Sequence, residues 1–172
     1  MNEDLKYRKA EPADAERIME IIRQAQAQMR ALGSLQWQDG YPARADIDRD
    51  IARGYGYVFE KSDAAENPAA AETPQKYDKG TVPGGVIAYG AVVFDGEPAY
   101  GAIDGAWLTG GDYVVLHRLA VADGEKGRGV AAEFMRRTEA LARGRGVGSF
   151  RVDTNFDNRY MPVSYTHLTL PT

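Results

Sequence analysis

Apolar positions follow two rhythms along the chain, one of period two and one of three to four. Residues 5–8 alternate apolar and polar as a strand does. Glu11-Pro12-Ala13-Asp14 then carries the marks of a helix start, a proline near the first turn and carboxylates at the positive end. Ile18, Ile21, Ile22, Ala25, Met29 and Leu32 recur at spacings of three and four, placing them on one face of an amphipathic helix that Gly33 ends. Residues 34–42 are a turn-rich loop carrying Trp37 and Tyr41. Ile47 and Ile51, four apart, predict a short second helix closed by Gly54.

Residues 55–61 and 85–94 read as strands, and the second is so nearly apolar throughout that it belongs in the middle of a sheet. Between them, residues 62–84 hold five alanines and three prolines without a sustained period, as expected of a mobile hairpin insertion. Asp95-Gly96 marks the next turn, and residues 97–112 are an irregular, glycine-rich passage with Tyr100 and Trp107. Residues 113–121 form a further strand. Residues 126–145 read as a long helix with Val130, Phe134, Thr138 and Leu141 on one side. Phe150, Val152 and Thr154 alternate in a last strand. The order β-α-α-β-β-β-α-β predicts an α/β fold, a mixed, mostly antiparallel sheet flanked by helices, with no internal repeat.

Composition narrows this picture. The chain has 172 residues, 21 Lys plus Arg against 25 Asp plus Glu, a net charge of −4 and no cysteine. One domain follows, without disulfides, zinc-thiolate clusters or a cysteine nucleophile. The first ten residues are charged throughout and lack the apolar core of a secretory signal. The longest mostly apolar stretch, residues 84–94, falls short of the roughly 20 residues a membrane span needs. A cytoplasmic protein is expected, with neither nucleic acid nor membrane as a partner. Pro162-Val163-Ser164-Tyr165-Thr166-His167-Leu168-Thr169-Leu170-Pro171-Thr172 carries no charge and matches a translated sequencing-library transposase adapter. It is set apart as a non-native tail, leaving residues 1–161 as the expected domain.

The chemistry concentrates where an apolar strand meets a glycine-rich turn that opens onto a helix, Gly124-Glu125-Lys126-Gly127-Arg128-Gly129. Glycines let the backbone turn tightly and present its N–H groups, and a helix N-terminus adds partial positive charge, so the turn suits a phosphate or pyrophosphate. A Walker loop would need Ser or Thr after Gly-Lys, and a dinucleotide fingerprint would need its three-glycine spacing in a parallel βαβ unit. Neither pattern is present.

Lys126-Gly127-Arg128-Gly129-Val130-Ala131, after Leu119-Ala120-Val121, resembles motif A of the GNAT family of N-acetyltransferases, with Lys126 where Gln or Arg is usual. The likeness extends to Ala10-Glu11-Pro12 with Asp14, the two-helix cap, the hairpin, and Asp153-Thr154 followed by Asp157-Asn158 and Met161. It implies acetyl-CoA as co-substrate, no metal, and transfer of the acetyl group to a primary amine of a small molecule or protein by direct attack in a ternary complex. It further implies that the pyrophosphate lies on the N–H groups of Lys126, Gly127, Arg128, Gly129, Val130 and Ala131. The pantetheine arm would pair with Leu119, Ala120 and Val121 and touch Asn158. His117 is the implied proton acceptor, as in the similar arylalkylamine N-acetyltransferases, where a histidine at this position removes a proton through water. A strand histidine making one structural hydrogen bond is the alternative.

In this family the loop after the first helix and the hairpin edges recognise the acceptor. That singles out Trp37, Asp39, Tyr41, Tyr100, Asp104 and Trp107 as an aromatic and acidic amine site. Trp37 and Trp107 serve equally well as plugs over the core. The tyrosine that protonates the departing thiolate in many members falls beyond Met161, and neither Tyr160 nor Tyr165 takes its role. The family's sheet and cleft are completed by a strand, helix and strand after that point, which this chain is expected to lack. Two other readings stay open: a non-catalytic CoA-binding or interaction module, and an inactive truncated fragment. A homodimer is also left open.

Overall fold

The computed structural model describes residues 5–62, 85–102 and 106–154. Its strands are β1 (Leu5–Lys9), β2 (Gly56–Lys61), β3 (Gly85–Val93), β4 (Tyr113–Val121) and β5 (Ser149–Arg151), and its helices are α1 (Ala15–Ala31), α2 (Arg44–Ala52) and α3 (Val130–Gly144). The order of strands and helices is the one read from the periodicity. Of the expected insertion at 62–84 all but Ser62 lies outside the described residues, as do Asp104, Asn158 and the 162–172 tail.

The strands lie side by side in sequence order, antiparallel from β1 to β4 and parallel between β4 and β5. A parallel neighbour needs a crossover, and α3 provides it. One face of the sheet is covered by α1 and α2, where Ile18, Ile21, Ile22 and Ile47 pack on Val58, Val86 and Tyr89. The first three isoleucines are fully buried, a contribution of roughly 2 kcal/mol each. On the other face α3 places Val130, Phe134, Met135 and Ala142 against Tyr57, Phe59, Ile87 and Leu116. The helix approaches most closely at Gly90, where a β-carbon would lie 2.8 Å from Phe134 Cε1 and 2.9 Å from Leu116 Cδ1.

Both helices of the first face open with the same device. The Glu11 N–H donates to Asp14 Oδ2 at 2.8 Å, and the Ala43 N–H donates to Asp46 Oδ2 at 2.8 Å, so a carboxylate three residues on satisfies a backbone donor at the helix entry. Asp14 also receives two N–H groups of Arg8 at 2.7 and 2.9 Å, tying β1 to this entry.

Three expectations are revised. The helix predicted from residue 126 starts at Val130, because Gly127 and Gly129 have φ of 75° and 76°, incompatible with a right-handed helix. Leu32, assigned to the buried face of the first helix, is 52% exposed: α1 ends at Ala31, and the Leu32 N–H closes the turn onto Gln28 O. The last strand covers Ser149–Arg151, so Val152, Asp153 and Thr154 lead away from the sheet.

Candidate functional site

Arg118 sits in the left-handed region at φ 55°. Across it, Tyr89 pairs with Ala120 and Ala91 with His117, so β4 spends three residues where β3 spends two. This is a β-bulge. It lets two consecutive side chains, His117 and Arg118, line one cavity while Leu116 and Leu119 both stay on the α3 face. Arg118 is anchored from α2: its Nε and Nη2 donate to the two oxygens of Asp50 at 2.8 and 2.7 Å, and Nη1 donates to the Tyr41 hydroxyl at 2.8 Å. Asp50 is 3% exposed and also accepts from Tyr89 Oη at 2.7 Å. A buried carboxylate is thus fully paired.

Beyond the bulge the sheet opens. β5 pairs only with residues 113–115 of β4, and from Leu116 to Val121 the edge turned away from β3 carries no described strand. A cavity of about 310 Å³ lies here, lined by Met29 of α1, Gln36, Trp37 and Tyr41 of the following loop, Leu116 to Leu119, and Val152 to Thr154.

His117 stands between two carboxylates. Its Nδ1 is 3.5 Å from Asp153 Oδ1, and its Nε2 is 3.1 Å from Glu97 Oε2. The latter contact lies off the direction of a hydrogen bond, leaving buried Nε2 without a hydrogen-bond partner among the described residues. Asp153 accepts from Tyr100 Oη at 2.6 Å. His117 and then Tyr100 hold its carboxyl below the usual carboxylate range against the opposing effect of partial burial.

The glycine-rich turn lies between β4 and α3. Gly129 is the residue before the helix, and the N–H groups of Gly127, Arg128, Gly129, Val130 and Ala131 donate to no described group. A β-carbon at Gly127 or Gly129 would meet nothing within 4 Å, so the space above the turn is open. The turn is braced from α1: Gln24 Oε1 accepts the Asp123 N–H at 2.9 Å and Gln28 Oε1 accepts from Lys126 Nζ at 2.6 Å. Lys126 also pairs with Asp123 at 2.5 Å. Arg128 pairs with Glu125 at 3.3 Å while its side chain stays 58% exposed.

The structure brings together His117, Leu119, Trp37 and Tyr41 around one cavity. Trp37 also packs on the core, so it is wall and plug at once. Trp107 is set back, its indole N–H donating to Tyr100 O at 3.2 Å and its ring packed on Tyr100 at 4.9 Å between centroids. Tyr100 is buried and adjoins the cavity through its hydrogen bond to Asp153 and its ring, 6.4 Å from that of His117 between centroids. Glu97, Gln36, Arg118 and Asp50 were missed by sequence reasoning, and a hydrophilic Gly-Glu-Pro turn carries no signal for a contact made twenty residues away.

The model of the acetyltransferase (GNAT) family matches residues 29–161. An acetyltransferase of the GNAT family from Streptococcus agalactiae 2603 is 30% identical, with a TM-score of 0.74 over 95% of this chain and 83% of that one. A Clostridium acetobutylicum protein, described as a predicted acetyltransferase and solved with acetyl-CoA, shares the fold at 16% identity, with a TM-score of 0.55 over 98% and 91% of the two chains. So does an aminoglycoside 6'-N-acetyltransferase from Acinetobacter haemolyticus, at 14% identity and a TM-score of 0.55 over 97% and 91%. No curated protein matches the chain significantly.

Proposed function

Because the chain belongs to the acetyltransferase (GNAT) family, we propose that it transfers an acetyl group from acetyl-CoA to a primary amine. The observation that carries this reading is a pair of backbone surfaces without partners among the described residues, the β4 edge from Leu116 to Val121 and the turn N–H groups from Gly127 to Ala131.

The residues fit the group on grounds of their own. Successive N–H groups around two positive-φ glycines at the positive end of α3 suit an oxyanion. Arg128 supplies an exposed cation beside them. The edge at Leu119, Ala120 and Val121, which no described strand covers, offers backbone donors and acceptors to an extended amide-bearing chain. When bound, acetyl-CoA supplies a thioester carbonyl, an electrophile for a neutral amine.

An ammonium has no lone pair, so the acceptor must lose a proton. His117, whose ring lies between Asp153 on the Nδ1 side and Glu97 on the Nε2 side, takes it. The imidazolium so formed lies between two carboxylates. Trp37, Tyr41 and the Asp153 carboxylate surround the same cavity and suit a cationic acceptor through ring-face and charge contacts.

Thiol release from acetyl-CoA with a panel of amines tests the reading. CoA binding without turnover of any amine would favour the non-catalytic module. His117→Ala is expected to lower kcat/KM roughly 10²- to 10⁴-fold with CoA affinity retained in calorimetry. An unchanged kcat/KM would return His117 to a structural role.

A further inference from the structure

The charges elsewhere on the molecule are mostly paired, and the exceptions converge. Among the described Lys and Arg side chains, only Lys9, Arg23, Arg53 and Arg145 form neither an ion pair nor a side-chain hydrogen bond with another described residue. Three of these four, Lys9, Arg53 and Arg145, line a second cavity of about 180 Å³, which shares no residue with the cavity at His117.

Its construction is specific. Arg145 lies with its guanidinium carbon 4.1 Å from the centre of the Phe94 ring, a stacking that immobilises the group and leaves its N–H edges available. Gly54, at φ 71°, leaves room that Lys9 uses: a β-carbon there would lie 3.1 Å from Lys9 Nζ. The Tyr55 hydroxyl donates to Asp95, the one carboxylate in the lining. Three cations face one carboxylate, so two positive charges are uncompensated. Arg53 and Arg145 follow the C-terminal ends of α2 and α3, where free carbonyls attract cations, yet neither side chain donates to those carbonyls. Helix capping therefore does not account for them.

We propose that this cavity is a binding site for a small dianion of phosphate or dicarboxylate chemistry, held by Lys9, Arg53 and Arg145 over the Phe94 ring. Like charges gathered around a concave surface with aromatic walls concentrate field on an anion more strongly than scattered surface cations do. The cavity has room for an oxyanion group and a few further atoms.

The test titrates the full chain with inorganic phosphate and, separately, with succinate, both at constant ionic strength against sodium chloride, following backbone amide resonances. Saturable shifts at Gly54, Tyr55, Phe94 and Arg145 are expected with at least one of the two, and the tighter binder names the chemistry. Arg53→Gln and Arg145→Gln replace exposed side chains and should leave the melting temperature unchanged while weakening the dissociation constant about tenfold each. Shifts confined to residues 126–131, shifts that sodium chloride reproduces, or an affinity unaltered in both variants would overturn the proposal. No turnover is measured, so the outcome is independent of acetyl transfer.

Discussion

Asp14 concentrates three hydrogen bonds on one carboxylate, two from Arg8 and one from the Glu11 N–H. The Arg8 guanidinium holds its carboxyl below the usual range, aided by that N–H and opposed by partial burial. The carboxylate therefore ionises at lower pH in the folded chain than in the unfolded one. Its stabilising effect is complete above the ordinary carboxylate value of about 4 and is lost as pH falls through the depressed one. Asp14→Asn should cost roughly 1–3 kcal/mol at neutral pH, with the gap to the parent closing below about pH 4. Urea midpoints measured across this range check both the size and the trend, and a gap independent of pH would contradict the assignment. At the same scale, His117 was legible because it stands two residues before the strand segment leading into the glycine-rich turn. Glu97 and Asp153 were not legible as its neighbours. Their approach depends on where a turn and a strand end fall in space, which no periodicity encodes.

Among the described elements, apolar spacing was enough to find the five strands and three α-helices, since each buries a regular face. Their ends were less legible. Gly127 and Gly129 look like the first turn of a helix by position, and only their positive φ places them outside it. Gly90 is the converse case, a glycine inside an apolar strand whose reason is a neighbour 44 residues away in sequence. Phe134 and Leu116 occupy the space a methyl group would need. Gly90→Ala should cost about 1–3 kcal/mol through overpacking between β3 and α3, measured by thermal or denaturant unfolding. A neutral result would mean that α3 can retreat from the sheet without penalty.

Across the whole molecule, the sheet separates a core cluster under α1 and α2 from one under α3, a third gathers around Tyr100 and Val115, and the sheet's ends carry the cavities at His117 and at Arg145. Among the described residues no helix is long and apolar enough to cross a membrane. The sequence showed the fold class and the glycine-rich turn between β4 and α3, because both rest on local pattern. It did not show the second cavity, whose cations come from the ends of β1, α2 and α3, nor the Asp50–Arg118 pair, 68 positions apart.

The β4 bulge implies that the cleft is a matter of chain length as much as of side-chain chemistry. Leu116 and Leu119 face the same way only because one residue intervenes beyond what the pleat requires. Removing Arg118, with Asp50→Asn to avoid stranding a buried charge, restores a strict alternation in which every remaining apolar residue keeps its side of the sheet. Such a chain should still unfold cooperatively while its CoA affinity, measured by calorimetry, is lost as the strand straightens; retained affinity would show that the edge opens without the bulge. One codon deletion with one isosteric substitution, neutral to the hydrophobic pattern, would then separate a folded scaffold from one that can receive a ligand.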